Sequence, residues 1–211
     1  MSKLWIKICG ITQNSDAIAA VGSGADAIGL VFYVASPRAV TKDKVEEITD
    51  GIIGNAQVVG LFVDAKAEEV NAVLETNRID LLQFHGSESA EYCESFGFPY
   101  MKAFRVNADT YREQNFASYD SAQMILLDSY SEQELGGTGN VFDWEIGRKI
   151  KSETGKNIVV AGGLNPDNVK TAIEQINPFG VDVSTGVEQD HGIKDLNKVS
   201  AFIEGARSVR S

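Results

Sequence analysis

The 211-residue sequence predicts an α/β fold, a single (β/α)8 TIM barrel, on three observations. Short β-branched runs alternate with helical segments over the whole length, the pattern of parallel strands joined by crossover helices. Eight such runs can be counted, and their starts recur roughly every 20 to 35 residues, the spacing of one strand plus one helix. No linker, low-complexity tract or long charge run breaks the series, so residues 1–211 read as one catalytic domain. An open doubly wound sheet is the alternative architecture, but it usually needs only about five strands.

The predicted strands are Leu4 to Cys9, Ala27 to Phe32, Val58 to Val63, Ile79 to Phe84, Tyr100 to Arg105, Met124 to Asp128, Asn157 to Ala161 and Phe179 to Ser184. After the second strand, Thr41 can cap a helix carrying Val45, Ile48 and Ile52 on one face. After the seventh, a capping Asn165, a Pro166 at the first helical position and an acidic Asp167 precede Val169, Ala172, Ile173 and Ile176, four residues on one stripe. The last segment repeats this with Leu196, Val199, Ile203 and Ala206.

Composition excludes several classes of function. A net charge of -11 opposes nucleic acid and anionic membrane alike, although a few backbone N–H groups can still form a local site for a small anion. The start, Met1 to Lys7, lacks the apolar stretch of a secretory signal, and no run approaches the ~20 apolar residues of a membrane span. Cys9 and Cys93 stand far apart without the second pair or flanking histidines of a zinc site, so no metal and a reducing cytoplasmic setting are expected.

In a barrel the loops after the strands form the active face, and chemistry is sought there. Cys9 closes the first strand and is followed by Gly10, which permits close approach of a ligand or of backbone. A cysteine in that place can also be a small buried hydrophobe, which is the plain reading of Cys93 within Glu91-Tyr92-Cys93-Glu94. Asp128 caps the apolar run Met124 to Leu127; a carboxyl there meets a cation, a hydrogen-bond network or a substrate, and partial burial favours its protonated form.

The glycine-bearing segments Gly136-Gly137-Thr138-Gly139, Gly162-Gly163 and Ser184-Thr185-Gly186 can present backbone N–H groups, and the last two follow strands seven and eight, where barrels commonly hold phosphate. None is a nucleotide-binding loop. Pro37 stiffens the loop that carries Arg38, a guanidinium suited to a carboxylate. His85 can be a base, a donor to substrate or a packed ring, and Asp182 is expected to bond within the barrel.

Taken in order, Lys7-Ile8-Cys9-Gly10-Ile11-Thr12, Ser36-Pro37-Arg38, Leu82-Gln83-Phe84-His85-Gly86, Leu127-Asp128, Gly136 to Gly139, Phe142-Asp143-Trp144, Gly162 to Pro166 and Val181 to Glu188 resemble the phosphoribosylanthranilate isomerases of tryptophan biosynthesis over nearly the whole chain. The resemblance implies an Amadori rearrangement of N-(5-phosphoribosyl)anthranilate that uses no cofactor. It implies Asp128 as the general acid that opens the ribose ring and Cys9 as the general base at C2. Arg38 would meet the anthranilate carboxylate, His85 would be a further substrate-binding residue, and Gly162, Gly163, Ser184 and Thr185 would bind the phosphate.

Thr185 stands where serine is usual in that family, which keeps a hydroxyl, and His191 to Asp195 departs from the common loop form. A free thiol is only a few per cent thiolate at neutral pH, so Cys9 needs nearby N–H dipoles or the ammonium of Lys7, provided that Lys7 does not point outward. A small phosphorylated substrate and a monomer or homodimer are the expected partners. Among rivals, a metal-dependent epimerase would want clustered histidines, where only His85 and His191 occur, and an idle binding barrel would not need both Cys9 and Asp128.

Overall fold

The computed structural model describes residues 3–107, 111–129 and 144–209. Eight parallel strands close into a barrel in sequential order: β1 (Trp5–Cys9), β2 (Ala27–Val31), β3 (Gln57–Phe62), β4 (Leu81–Phe84), β5 (Tyr100–Val106), β6 (Met124–Ser129), β7 (Ile158–Val160) and β8 (Gly180–Val183). Closure is made by β1 pairing with β8, with Lys7 opposite Asp182 and Ile8 opposite Val183. The predicted strands therefore form within a residue or two of their expected bounds, and the ring excludes the open sheet.

The helices are α1 (Asn14–Gly22), α2 (Val45–Thr49), α3 (Ala67–Leu74), α4 (Ala90–Glu94), α5 (Trp144–Thr154), α6 (Val169–Ile176) and α7 (Leu196–Ser208). The eight regular β-α units of the sequence reading are not all realised. Between β5 and β6 the described residues hold only the 3-10 turns Tyr111–Glu113 and Phe116–Tyr119, which still bury Tyr111 and set the Phe116 ring, tilted by 59°, against Phe104 with centroids 4.7 Å apart. A short antiparallel pair, β9 (Glu188–Asp190) and β10 (Ile193–Lys194), follows β8.

Three predicted helix features differ from the structure. Thr41 makes no side-chain cap; a 3-10 turn over Lys42–Lys44 leads into α2, and Ile52 is buried beyond the helix end. In α7 it is Phe202, with Val199, Ile203 and Ala206, that faces the core, while Leu196 at the first turn is exposed. Asn165 does not cap α6, which begins at Val169 after Asn168, a cap without a side-chain bond; it accepts from the N–H groups of Asp167 at 2.9 Å and Asn168 at 3.1 Å and so closes the turn, containing Pro166, that feeds the helix. All four residues of the α6 stripe are buried, each contributing about 1.5–3 kcal/mol where the side chain is as large as Val or Ile.

Strand alternation divides the core. One face of each strand packs outward against the helices through Ile6, Ile8, Ile28, Leu30, Phe62, Phe84 and Val160 among others. The other face fills the barrel, and its lower layer is apolar: Trp5, Ala27, Val59, Leu81, Met101, Met124 and Val159. Towards the carboxyl ends of the strands the interior turns polar, with Lys7, Gln83 and Asp182 all buried beneath Cys9. That change of chemistry along the barrel axis is what positions the site.

Candidate active site

Cys9 ends β1 because the chain leaves the sheet immediately after it. The N–H groups of Gly10 and Ile11 both donate to the Gly29 carbonyl, at 2.9 and 3.0 Å, and Gly10 takes a φ of +74° that a side chain would adopt only under strain. A Cβ on Gly10 would also press the Arg38 stem and lie 2.9 Å from Ser184 Oγ. The close approach expected of Gly10 is therefore to Arg38 and Ser184, and it draws the loops after β1, β2 and β8 together.

Lys7 points inward, against the outward option left open by the sequence. Its Nζ donates to both oxygens of Asp182 at 2.9 Å, with the lysine side chain wholly buried. Burial opposes the Lys7 charge, but the Asp182 carboxylate and the neighbouring Cys9 outweigh it and hold the ammonium above the ordinary lysine value. Gly29 of β2, paired with Cys9, makes the space: a Cβ there would stand 2.8 Å from Cys9 Sγ and 3.1 Å from Lys7 Nζ. Burial pushes the Cys9 thiol up, Lys7 pulls it down and Asp182 pushes it up, so the resting group is the protonated thiol.

Arg38 already meets a carboxylate, that of Glu188. Its Nε donates to Oε1 at 2.7 Å and its Nη2 to Oε2 at 2.6 Å, a fork that fixes the plane of the guanidinium. Thr185 Oγ1 accepts from Nη2 at 3.2 Å, and His191 Nδ1 lies 3.4 Å from the same atom. The buried Lys194 completes the cluster, donating to Glu188 Oε1 at 2.8 Å and to the carbonyl of Cys9 at 2.6 Å. Burial raises Glu188, but the hydrogen bonds from Arg38 and Lys194 outweigh it and hold the carboxyl below the usual range; burial pulls Lys194 down.

The candidate phosphate residues come together after β7 and β8. Gly162 and Gly163 take φ values of +74° and +69°, so consecutive backbone amides turn there without a Cβ over them. Gly186 lies so close beneath the Leu164 carbonyl that a Cβ would overlap it, which brings the Ser184-Thr185-Gly186 turn against the Gly162-Gly163 turn. Gly136 to Gly139 lies outside the described residues, as do Phe142 and Asp143.

Asp128 stands one residue before the end of β6 and is partly exposed, and its Oδ2 lies 3.1 Å from His85 Nε2. His85 is held by a clasp under its loop: Glu88 accepts from the N–H groups of Asp64 and Gly86 and from Lys102 Nζ, and Lys102 also donates to the Gly86 carbonyl at 2.6 Å. His85 Nδ1 in turn lies 3.1 Å from Nε2 of the buried Gln83. His85 is thus neither a packed ring nor an isolated donor; it bridges the barrel interior to Asp128.

Sequence reasoning missed Gly29, Gln83, Glu188 and Lys194 as members of this site. It also missed Arg105, exposed at the end of β5 and paired in register with Asp128. Within one strand alternation only says which residues share a face, so the inward side of Gly29 and Gln83 follows from the register of the closed barrel, and Glu188 and Lys194 lie beyond its strands on β9 and β10. Among the described residues no group of three His, Cys, Asp or Glu side chains could hold a metal ion. Cys93 lies buried on α4, away from these loops, with its thiol pushed up by burial to about 12.

A closed barrel whose carboxyl-end mouth gathers a thiol beside an ammonium, a carboxyl on a histidine, a fixed arginine and two facing glycine turns defines an acid-base enzyme of the (β/α)8 class. The family profile described as N-(5'phosphoribosyl)anthranilate (PRA) isomerase matches residues 6–205. N-(5'-phosphoribosyl)anthranilate isomerase of Pseudomonas aeruginosa (strain LESB58) is 49% identical over 210 residues, covering 100% of this chain and 98% of its own. That of Cellvibrio japonicus is 51% identical over 203 residues, covering 96% and 93%. The crystal structure of phosphoribosyl anthranilate isomerase from Thermotoga maritima superposes with a TM-score of 0.89 at 36% identity, covering 97% of this chain and 99% of the other. The chain belongs to the N-(5'-phosphoribosyl)anthranilate isomerase family.

Proposed function

We propose that this chain converts N-(5'-phosphoribosyl)anthranilate to 1-(2-carboxyphenylamino)-1-deoxyribulose 5-phosphate in tryptophan biosynthesis, with Asp128 as general acid and Cys9 as general base. A phosphoribosyl anthranilate isomerase solved in complex with the reduced form of that product has a TM-score of 0.84 to this chain at 33% identity, covering 97% and 99% of the two chains. The observation that carries the division of labour is that the mouth holds one group able to give a proton and another able to take one. Asp128 opens on the solvent side of His85, and the Cys9 thiol sits against the Lys7 ammonium.

In this reading Asp128 protonates the ribose ring oxygen as the C1–O bond breaks, and the anilino nitrogen supplies the electron pair that makes the Schiff base. The Cys9 thiolate then removes the C2 proton, and the resulting enolamine tautomerises to the ketone. Because burial keeps the thiol protonated at rest, the reactive fraction is small and depends on Lys7 to stabilise it. Arg38, oriented by Glu188, meets the anthranilate carboxylate, His85 lies beside the sugar, and Gly162, Gly163, Ser184 and Thr185 receive the phosphate, largely through backbone.

Residues 1–211 act as one catalytic domain in the cytoplasm. The described residues include no helix long and apolar enough to cross a membrane. The working unit is a monomer or homodimer, which sedimentation decides; a Thermotoga maritima structure of mutually generated monomers of a dimeric phosphoribosylanthranilate isomerase has a TM-score of 0.83 to this chain. The test of the mechanism is to supply phosphoribosylanthranilate and follow the loss of its fluorescence. Cys9→Ser and Asp128→Asn should each lower the rate by roughly 10²-fold to 10⁴-fold, and a rate unaffected by both would refute the acid-base assignment.

A further inference from the structure

Gln83 is wholly buried on β4, in a barrel interior whose neighbouring inward residues on β4 and β5 are Leu81 and Met101. A buried amide is costly unless it is hydrogen-bonded, yet its Oε1 has no partner among the described residues. The bond that its amide does make runs from Nε2 to His85 Nδ1 at 3.1 Å, and His85 Nε2 lies 3.1 Å from Asp128 Oδ2. The polar group thus brings little to the packing of the barrel, and its hydrogen bond among the described residues leads through His85 to the acid.

The direction of that contact matters. A catalytic histidine is commonly oriented by an oxygen that accepts from Nδ1–H, which leaves Nε2 as the base. Here an amide nitrogen faces Nδ1 and donates to it, so the neutral ring must carry its proton on Nε2 and donate to Asp128 Oδ2. An oxygen that accepts in this way is not the one that holds the carboxyl proton. When Asp128 is protonated, its proton is therefore on Oδ1, and the carboxylate left after transfer is stabilised at Oδ2 by the same N–H.

We propose that Gln83 is a positioning residue of the isomerisation: it fixes His85 as the Nε2–H tautomer and so directs the transferable proton of Asp128 to Oδ1. The proposal rests on the reading of Asp128 as the general acid. With the amide reversed, or replaced by an acceptor, Nδ1 would carry the proton and the lone pair on Nε2 would draw the Asp128 proton onto Oδ2, away from substrate.

The experiment combines kinetics, stability and nitrogen NMR. The chain has only two histidines, so ¹⁵N-labelled His85 and His191 are assigned with a single His191→Asn variant. The wild type should show neutral His85 with its proton on Nε2, and Gln83→Glu should move that proton to Nδ1 or give the imidazolium. Gln83→Met, which fills the same space without the unpaired amide, should keep or raise the unfolding midpoint while lowering kcat by roughly 10-fold to 100-fold, with KM little changed. A purely structural Gln83 predicts the opposite split, a lowered midpoint with kcat intact.

A wild-type His85 carrying its proton on Nδ1, or wild-type kcat in Gln83→Met, would overturn the proposal. Asp128→Asn is the separate arm. If it retains full activity, the acid assignment fails and takes the proposal with it; if it is impaired while Gln83→Met is not, the proposal alone fails.

Discussion

Substituting Lys7 by methionine removes an ammonium that sits 2.9 Å from both oxygens of Asp182, with the lysine side chain wholly buried and the aspartate nearly so. The Coulomb attraction in such a pair is largely offset by the cost of desolvating its members, so its net worth against an apolar pair is small. Removing one member is different, because the carboxylate then remains buried without a partner, at a cost of about 3–5 kcal/mol. Lys7→Met should therefore lower the unfolding free energy by that amount in a urea titration, and Lys7→Met/Asp182→Leu should recover most of it. The thiol supplies a second readout. Lys7 pulls Cys9 down against burial, so its loss sends the thiol higher, and each further unit leaves about tenfold less thiolate at neutral pH. The kcat/KM of Lys7→Met should fall by at least about tenfold at pH 7.5 and recover towards alkaline pH, while the double variant, which also loses the Asp182 charge that pushes the thiol up, should fall less. A single variant that loses under about 1 kcal/mol, or whose pH profile coincides with the wild type, would refute the account of the buried pair.

Gly29→Ala places a methyl 2.8 Å from Cys9 Sγ and 2.9 Å from Lys7 Cε with no backbone strain to confuse the result; a loss of about 1–3 kcal/mol in stability and a lowered kcat are expected, and a wild-type melting temperature and rate would show that the thiol does not need that space. Glu188→Gln should loosen the guanidinium of Arg38 and raise KM more than it changes kcat, as should Arg38→Ala, and an unchanged KM in either would contradict a role in binding the substrate carboxylate. Glu188 is depressed in the fold, so its contribution to stability is present above the unfolded value near ~4.3 and is lost as pH falls through the lower folded value; the acid unfolding limb of Glu188→Gln should be correspondingly shallower in circular dichroism. Cys93 behaves in the opposite sense: its thiol is raised from 9.0 to about 12, so stability is lost as pH climbs between those values, by about 4 kcal/mol in full, and a Cys93→Ala variant that keeps the wild-type alkaline slope would refute the burial argument.

Most of the barrel was legible because its strands are short apolar runs whose bounds are set locally by β-branched residues and by the glycine or asparagine that ends them. Where the reading slipped, a longer-range fact decided. The crossover after β5 has the length for a helix, but its described residues form 3-10 turns that bury Tyr111, set Phe116 and Tyr119 against Phe104 and tie Tyr119 to the Glu88 carbonyl of the β4 loop. Leu196 fits the periodic stripe of α7, yet it stands in the first turn, outside the packing that Phe202 provides. Thr41 has the composition of a cap, but the turn over Lys42–Lys44 begins the helix in another way.

The site divides along the same line. Cys9, Asp128, Arg38 and the glycine turns were visible because each occupies a strand end or a loop, where a residue of unusual chemistry stands out from its neighbours. The pairings were hidden because they join distant strands: Asp182 was expected to bond within the barrel, but its partner Lys7 is 175 residues away, and Glu188 is 150 from Arg38, distances over which no periodicity in one segment carries information. Gln83 is the sharpest case. Within Leu81-Leu82-Gln83-Phe84 it reads as one polar residue in an apolar strand, and only the register of the closed barrel shows that it points inward, beneath His85, on the way to Asp128. A polar residue that interrupts the inward face of an otherwise apolar barrel strand is therefore best examined for what it orients at the mouth, because burial without full hydrogen bonding gives stability little reason to keep it there.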